Sequence, residues 1–151
     1  MHFKTERQKS WTDTDTIIDN WLQERQALLV IFTQLCQSKS FLYSAHLKSK
    51  LDQFCQLLVD YVSAGQFEVF EKIFEASKLD RSQSFDKQVF VNILRSTLFA
   101  LDFNDRYAKA ERYDTLEQDL SKLGEHFARR LELEDYIIDL YVEALRQLNP
   151  S

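Results

Sequence analysis

The scarcity of residues that form tight turns is the feature that most limits what this chain can fold into. Its 151 residues include two glycines and one proline, whereas average usage would give about 10 and about 7. Strands joined by short hairpins need glycine, Asn-Gly or proline at their turns. The composition therefore argues strongly against an all-β fold, disfavours an α/β fold and predicts a mainly helical protein.

Apolar residues that recur at steps of three and four support this prediction, since such spacing places them on one face of a helix. The patterns predict helices over about 15–37, 42–64, 67–74 and 85–102, and a helical segment over 113–148. That last segment is either one helix or two helices joined near 131–135. Polar breaks are predicted at 78–84 and at 102–106.

The same patterns define the domain. Residues 1–12 lack helical periodicity and are predicted to be a flexible tail, which leaves 13–149 as a single domain. Long helices with short connections favour an all-α, antiparallel four-helix bundle. The helix at 67–74 is then one short addition to that bundle.

Gly65 and Asp60 make the end of the second predicted helix unusual. Gly65 directly follows the last apolar positions, as a glycine that ends a helix in the left-handed conformation does. Asp60 would then lie in the last helical turn, where the helix dipole disfavours a carboxylate. Broken local rules of this kind are expected at functional sites.

The stretch 60–75 combines acidic and aromatic side chains. It has four carboxylates against Lys72 alone, with aromatic residues interleaved among them. This pattern suits the surface of a protein that binds a basic partner. A solvated acidic face over aromatic core residues would give the same pattern, and composition alone does not separate the two.

Three charged residues lie on helix stripes that are otherwise apolar, namely Arg25, Arg130 and Glu134. A buried charge is costly unless it is paired, so the pattern predicts an internal polar layer where these stripes meet. Glu134 and Asp60 are the candidate partners of Arg25. The alternative is that the stripe rotates and Arg25 extends its head group into solvent.

Charge and cysteine content narrow the class of protein. The net charge of −5 argues against direct binding to nucleic acid, which needs clustered lysine and arginine. Cys36 and Cys55 lie in apolar stretches and are predicted to be small core residues in a reducing compartment. Met1–Ser10 is polar, and the chain has no apolar run of membrane-spanning length. The sequence therefore predicts a cytoplasmic protein.

No metal centre or cofactor is predicted. Glu-x-x-His motifs of the kind that hold di-iron sites are missing, since Tyr43 precedes His46 by three residues and Leu123 precedes His126. Two other functions stay open from the residues alone. His126 could carry a phosphoryl group beside Arg129 and Arg130, or the predicted polar layer could bind a small molecule.

Three segments carry a resemblance to a known family. The longest is the run from Leu51 to Phe67, LDQFCQLLVDYVSAGQF, and the others are Trp21–Arg25 with Leu28–Val30, and Arg130 with Leu133–Asp135. Together they resemble the Rsd/AlgQ family of bacterial anti-sigma regulators. The likeness covers roughly 17–145 and is greatest over 17–75.

The resemblance implies a helical bundle without catalytic activity that sequesters the primary sigma factor of RNA polymerase. It implies binding chiefly to the promoter-reading region 4 of sigma, a basic helix-turn-helix. We expect the protein to be a monomer. We expect the partner-binding surface to centre on four residues with two aromatic rings supporting it from beneath: Asp60, Ser63, Phe67 and Glu71, above Trp21 and Phe70. Gln66 departs from the family pattern, which has histidine at that position.

Overall fold

The described part of the chain forms five α-helices and one π-helical turn. The computed structural model describes residues 6–37, 45–77, 87–109 and 112–148. The helices are α1 (Glu6–Gln37), α2 (Ala45–Ala64), α3 (Phe70–Ser77), α4 (Lys87–Tyr107) and α5 (Leu116–Leu148), and the π-turn (Gly65–Val69) joins α2 to α3. The described residues include no strand, which confirms the all-α prediction.

The helices pack as a bundle that α3 completes. α1 packs on α2, α2 on α4 and α4 on α5. The remaining side of the bundle is closed in part by α3, which packs on both α1 and α5. α3 is therefore an integral part of the core, because Phe70, Ile73 and Phe74 are all buried.

Several predicted helix limits differ from the structure. The short helix predicted at 67–74 is observed as α3 at Phe70–Ser77. α1 begins at Glu6, nine residues before the predicted start, because its first turns carry no apolar stripe that periodicity could detect. α4 continues to Tyr107, so the predicted break at 102–106 is wrong. α5 is one helix from Leu116 to Leu148. The flexibility of 1–12 stays a prediction, and the predicted linker at 78–84 lies outside the described residues.

Gly65 does not end a helix. The helical backbone continues through the π-turn, with Ala64 before it and Phe70 after it both in the right-handed helical region. Gly65 itself does not adopt a positive φ. The prediction of a left-handed terminating glycine was therefore wrong, and so was the argument that Asp60 opposes a helix C-terminus.

The core explains why a chain with so few turns is stable. The largest side chains that are almost completely buried come from all five helices: Trp21, Arg130, Tyr61, Tyr141, Phe54, Leu28, Leu35, Leu51, Leu58, Ile73, Ile93 and Leu116. Cys55 is buried as predicted, whereas Cys36 is exposed and the prediction that it is a core residue was wrong. Within the described part of the chain, no helix is long and apolar enough to cross a membrane.

Candidate functional site

Four predicted site residues share one side of the segment formed by α2, the π-turn and α3. Asp60, Phe67 and Glu71 are exposed and Ser63 is partly exposed. Their spacing of three, four and four residues corresponds to successive turns, since a π-turn holds more residues than an α-helical turn. We call Asp60, Ser63, Phe67 and Glu71 the acidic–aromatic surface.

Phe67 is the outstanding member of this surface. Its side chain is 79% exposed, the highest value among the exposed large apolar residues in the described part of the chain. An isolated exposed apolar residue is ordinary, but an almost fully exposed phenyl ring is costly to solvate, and Gly65 and Val69 of the same turn are buried. The position suits an aromatic anchor for a partner.

Trp21 and Phe70 lie directly beneath this surface. Both are buried, with 2% and 3% of their surface exposed. The Trp21 ring stacks on Tyr61 with centroids 4.9 Å apart and meets Phe70 edge-on at 5.7 Å. Trp21 Nε1 also donates a hydrogen bond of 3.1 Å to the Tyr61 carbonyl. These residues can support the surface, but they are too buried to touch a partner.

The electrostatics of the surface extend to a residue that the sequence interpretation missed. Partial burial raises the pKa of Glu24 on α1, and the negative charges of Asp60 and Glu68 raise it further. Glu24 therefore belongs to the same concentration of negative charge. Asp60 itself accepts hydrogen bonds from Gln56 Nε2 at 3.1 and 3.3 Å.

The polar layer is a second cluster, buried below this surface. Arg130 and Glu134 are both fully buried, and Arg130 Nε donates to Glu134 Oε2 at 2.7 Å. The Tyr61 hydroxyl donates to the other carboxylate oxygen, Glu134 Oε1. Burial raises the pKa of Glu134, while the charge of Arg130 and the Tyr61 hydrogen bond act in the opposite direction.

Arg25 lies at the edge of this layer. Its Nη1 atom is 3.5 Å from Glu134 Oε1 and 2.9 Å from Asp135 Oδ1, and its side chain is 21% exposed. The structure thus brings Arg25 together with one predicted partner, Glu134, and adds Asp135. It pairs Asp60, the other candidate, with Gln56 instead.

The layer also depends on two residues of α4 that the sequence interpretation did not place in it. Arg130 Nη1 donates to Ser96 Oγ at 2.9 Å, to Thr97 Oγ1 at 2.6 Å and to the Ile93 carbonyl at 3.3 Å. Thr97 lies on the apolar stripe of α4. A polar residue at such a position could have indicated from the sequence that α4 contributes to the polar layer. The arrangement ties α4 to α5 and offers no group poised for catalysis.

Of the two alternative functions, a phosphoryl carrier would use His126 and a small-molecule sensor would use the polar layer. His126 is exposed and stacks on Phe99 with ring centroids 4.0 Å apart. An apolar cavity of about 160 Å³ lies between α1, α2 and α5, and Arg25, Arg130 and Glu134 are not among its lining residues. In the part of the chain that the structure describes, no three histidine, cysteine or acidic residues are grouped as metal ligands.

Comparison with known proteins decides the class. Residues 2–142 match the family described as regulator of RNA polymerase sigma(70) subunit, Rsd/AlgQ. The chain belongs to the Rsd/AlgQ family. It is also similar to proteins named regulator of sigma D from Escherichia coli K12 and from Shigella boydii serotype 18. Each is 30% identical over 144 residues, covering 91% of this chain and 91% of the relative.

Membership in the Rsd/AlgQ family confirms the functional prediction at the level of the family. The chain is an anti-sigma regulator of the primary sigma factor and not an enzyme. The family match spans residues 2–142, and the acidic–aromatic surface lies within it.

Proposed function

We propose that this protein binds region 4 of the primary sigma factor through the acidic–aromatic surface, with Trp21 and Phe70 supporting it. The exposed ring of Phe67, set among carboxylates, is the observation that carries the proposal. Such a residue gains most from burial in a partner's apolar pocket. Glu71 lies about one turn after it, and Asp60 lies about two turns before it.

Charge complementarity supports the choice of region 4. A promoter-reading helix-turn-helix carries arginine and lysine that contact DNA phosphates. The same basic groups suit the negative charge of Asp60, Glu68 and Glu24, and an arginine–carboxylate bond is among the stronger contacts in an interface. Partial burial raises the pKa of Glu24, and the charges of Asp60 and Glu68 raise it further. A cation of the partner would relieve the repulsion among these carboxylates.

The proposed mechanism is occlusion. A protein that covers the basic surface of region 4 prevents that surface from reaching promoter DNA and polymerase, so no chemical step is needed. Gln66 stands beside Phe67 and is partly exposed, and its amide offers both a donor and an acceptor to sigma. We further propose that the protein acts as a monomer in the cytoplasm, where transcription initiation takes place.

Asp60→Ala tests the surface directly. We expect the change to weaken binding to purified sigma region 4 by about 2 kcal/mol or more, roughly a thirtyfold rise in Kd. Its free energy of unfolding should stay within about 0.5 kcal/mol of wild type, because the exposed Gln56–Asp60 hydrogen bond contributes little. Calorimetric titration and urea unfolding of both proteins measure the two quantities.

Asp52→Ala is the matched control. Asp52 is also an exposed aspartate of α2, about 12 Å further along the helix from Asp60. The Asp52→Ala protein should bind region 4 with the same affinity as wild type. Equal affinity of the Asp60 and Asp52 variants would remove Asp60 from the interface, and no binding of wild type to region 4 would overturn the proposal as a whole.

A further inference from the structure

The turn that carries Phe67 has an unusual register. The Phe70 N–H donates to the Gly65 carbonyl, five residues earlier, instead of four as in an α-helix. The buried positions accordingly advance by four residues at each turn, through Tyr61, Gly65, Val69 and Ile73. Single π-turns inserted in α-helices occur frequently at functional sites.

The register decides what the surface presents. If the turn became α-helical, α3 would rotate by about 100° relative to α2, the angle of one helical residue. Glu71 would then leave the side on which Asp60 lies, and Phe67, within the turn, would change direction. The exposed residues Glu68 and Lys72 would move towards the core, where an unpaired charge is costly.

Trp21 packs against the residues on both sides of this turn and against its first residue, Gly65. It stacks on Tyr61 before the turn, meets Phe70 after it and bonds the Tyr61 carbonyl one turn ahead of Gly65. A Cβ atom added to Gly65 would lie 3.0 Å from Trp21 Cζ2. Because the indole is buried and hydrogen-bonded, it has little freedom to move away.

Arg130 closes on Gly65 from α5. The added Cβ would lie 3.2 Å from Arg130 Nη2, a buried atom that has no hydrogen-bond partner among the described residues. The guanidinium is held by Glu134 through Nε and by Ser96 and Thr97 through Nη1. It cannot retreat from Gly65 without breaking bonds to α4 and α5.

We infer that Gly65 is a positioning residue for sigma binding: Trp21 and Arg130 close on its bare Cα and thereby fix the π-turn that presents Phe67. Arg130, a member of the polar layer, thus helps to hold the turn that carries the surface. Because the layer is built from three helices, the packing of those helices sets the direction of the exposed Phe67 ring. This inference rests on the proposed function, because it concerns how the same surface is held.

Gly65→Ala is the test, with Gly124→Ala as its matched control. Gly124 is the other glycine of the chain and also lies within a helix, where an added Cβ would stand 3.0 Å from Phe32 Cζ. In titrations against purified region 4, with folding checked by circular dichroism, Gly65→Ala should raise Kd roughly tenfold or more. Gly124→Ala should leave Kd within about twofold of wild type.

Combination with Phe67→Ala separates positioning from general damage. If Gly65 acts by directing Phe67, Gly65→Ala should add little further loss of affinity once Phe67 is alanine, so the two losses are not additive. Full additivity of the two losses would overturn the inference, as would a folded Gly65→Ala protein that binds like wild type.

Trp21→Phe takes the place of Gly65→Ala if that variant does not fold. It removes the atom nearest Gly65 and the bond to the Tyr61 carbonyl, so it should also raise Kd, again not additively with Phe67→Ala. Wild-type affinity of Trp21→Phe would overturn the inference. A large effect of Phe67→Ala together with none from either positioning variant would leave the proposed function standing, whereas no binding by wild type would overturn both.

Discussion

Glu24 shows at the residue scale what the acidic surface costs the free protein. Its pKa is raised by partial burial and by the charges of Asp60 and Glu68. A carboxyl group with a folded pKa above its unfolded value stabilises the fold at low pH, and that contribution is lost as pH rises through the folded pKa. At neutral pH the ionised Glu24 is therefore unfavourable in the absence of a partner.

Glu24→Gln should raise the free energy of unfolding at pH 7 by less than about 1 kcal/mol, because the side chain is largely exposed. The gain should vanish below about pH 4.5, where the wild-type carboxyl is protonated in both states. The same change should slow association with region 4 about two- to fivefold at low salt. Urea unfolding at both pH values and stopped-flow binding measure these effects, and a variant less stable at pH 7 would contradict the electrostatic account.

Arg25 gives a second prediction at this scale. Removing one member of a fully buried pair costs about 3–5 kcal/mol, but Arg25 is 21% exposed and Glu134 keeps Arg130 and Tyr61. We therefore expect Arg25→Ala to lower the free energy of unfolding by about 1–3 kcal/mol. Asp135→Ala is the control and should cost less than about 1 kcal/mol. An Arg25→Ala protein within about 0.5 kcal/mol of wild type would show that the side chain is effectively solvated.

The sequence could indicate that Arg25, Arg130 and Glu134 were unusual, because a charge on an apolar stripe is visible in one helix alone. It could not identify Asp135, Ser96 or Thr97 as partners, since those contacts depend on how α1, α4 and α5 are rotated in the bundle. Asp135 supplies the closest bond to Arg25, and it lies one residue along α5 from the expected partner, Glu134.

At the scale of elements, apolar periodicity predicted the helices and their packing faces well, and it failed at their ends. Gly65 is the clearest case. Glycine can be required because it ends a helix or because a neighbouring ring leaves no space for a Cβ atom, and the sequence shows the same residue in both cases. The signal that separates them is the run of buried positions at 61, 65, 69 and 73, which steps by four where an α-helix needs an occasional step of three.

The corner between α4 and α5 yields a prediction about pH. Asp119 Oδ2 accepts hydrogen bonds from Arg106 Nη1 and Thr115 Oγ1, both at 3.1 Å, and from the Tyr107 hydroxyl. Burial would raise the pKa of Asp119, but these bonds outweigh it and the net pKa is lowered. Such a group stabilises the fold above its unfolded pKa, and the contribution is lost as pH falls through the folded pKa.

Asp119→Asn should therefore lower the free energy of unfolding by about 1–3 kcal/mol at pH 7. The difference from wild type should shrink as pH falls through about 3.8, the ordinary pKa of the carboxyl, because the unfolded state is then protonated before the folded state. Asp105→Asn, an exposed aspartate of α4, is the control and should change little. Urea unfolding from pH 3 to 7 measures both, and a difference that grows towards low pH would contradict the assignment.

At the scale of the whole molecule, the proposed sigma surface lies on one continuous stretch of chain. This is why Asp60, Ser63, Phe67 and Glu71 could be proposed from the sequence, since neighbours along a helix stay neighbours in the fold. Glu24 arrives from α1 and Arg130 from α5, so their relation to that surface required the packed bundle. The surface is local in sequence, while its support comes from several helices.

Titration of Phe67→Ala against purified sigma region 4 tests the central claim most directly, with Leu98→Ala as the comparison. Leu98 is 56% exposed on α4, so it controls for loss of an exposed apolar side chain elsewhere. We predict that Phe67→Ala weakens binding by about 2 kcal/mol or more, that Leu98→Ala binds within about twofold of wild type, and that both unfold like wild type. Equal affinity of Phe67→Ala and wild type would contradict the account.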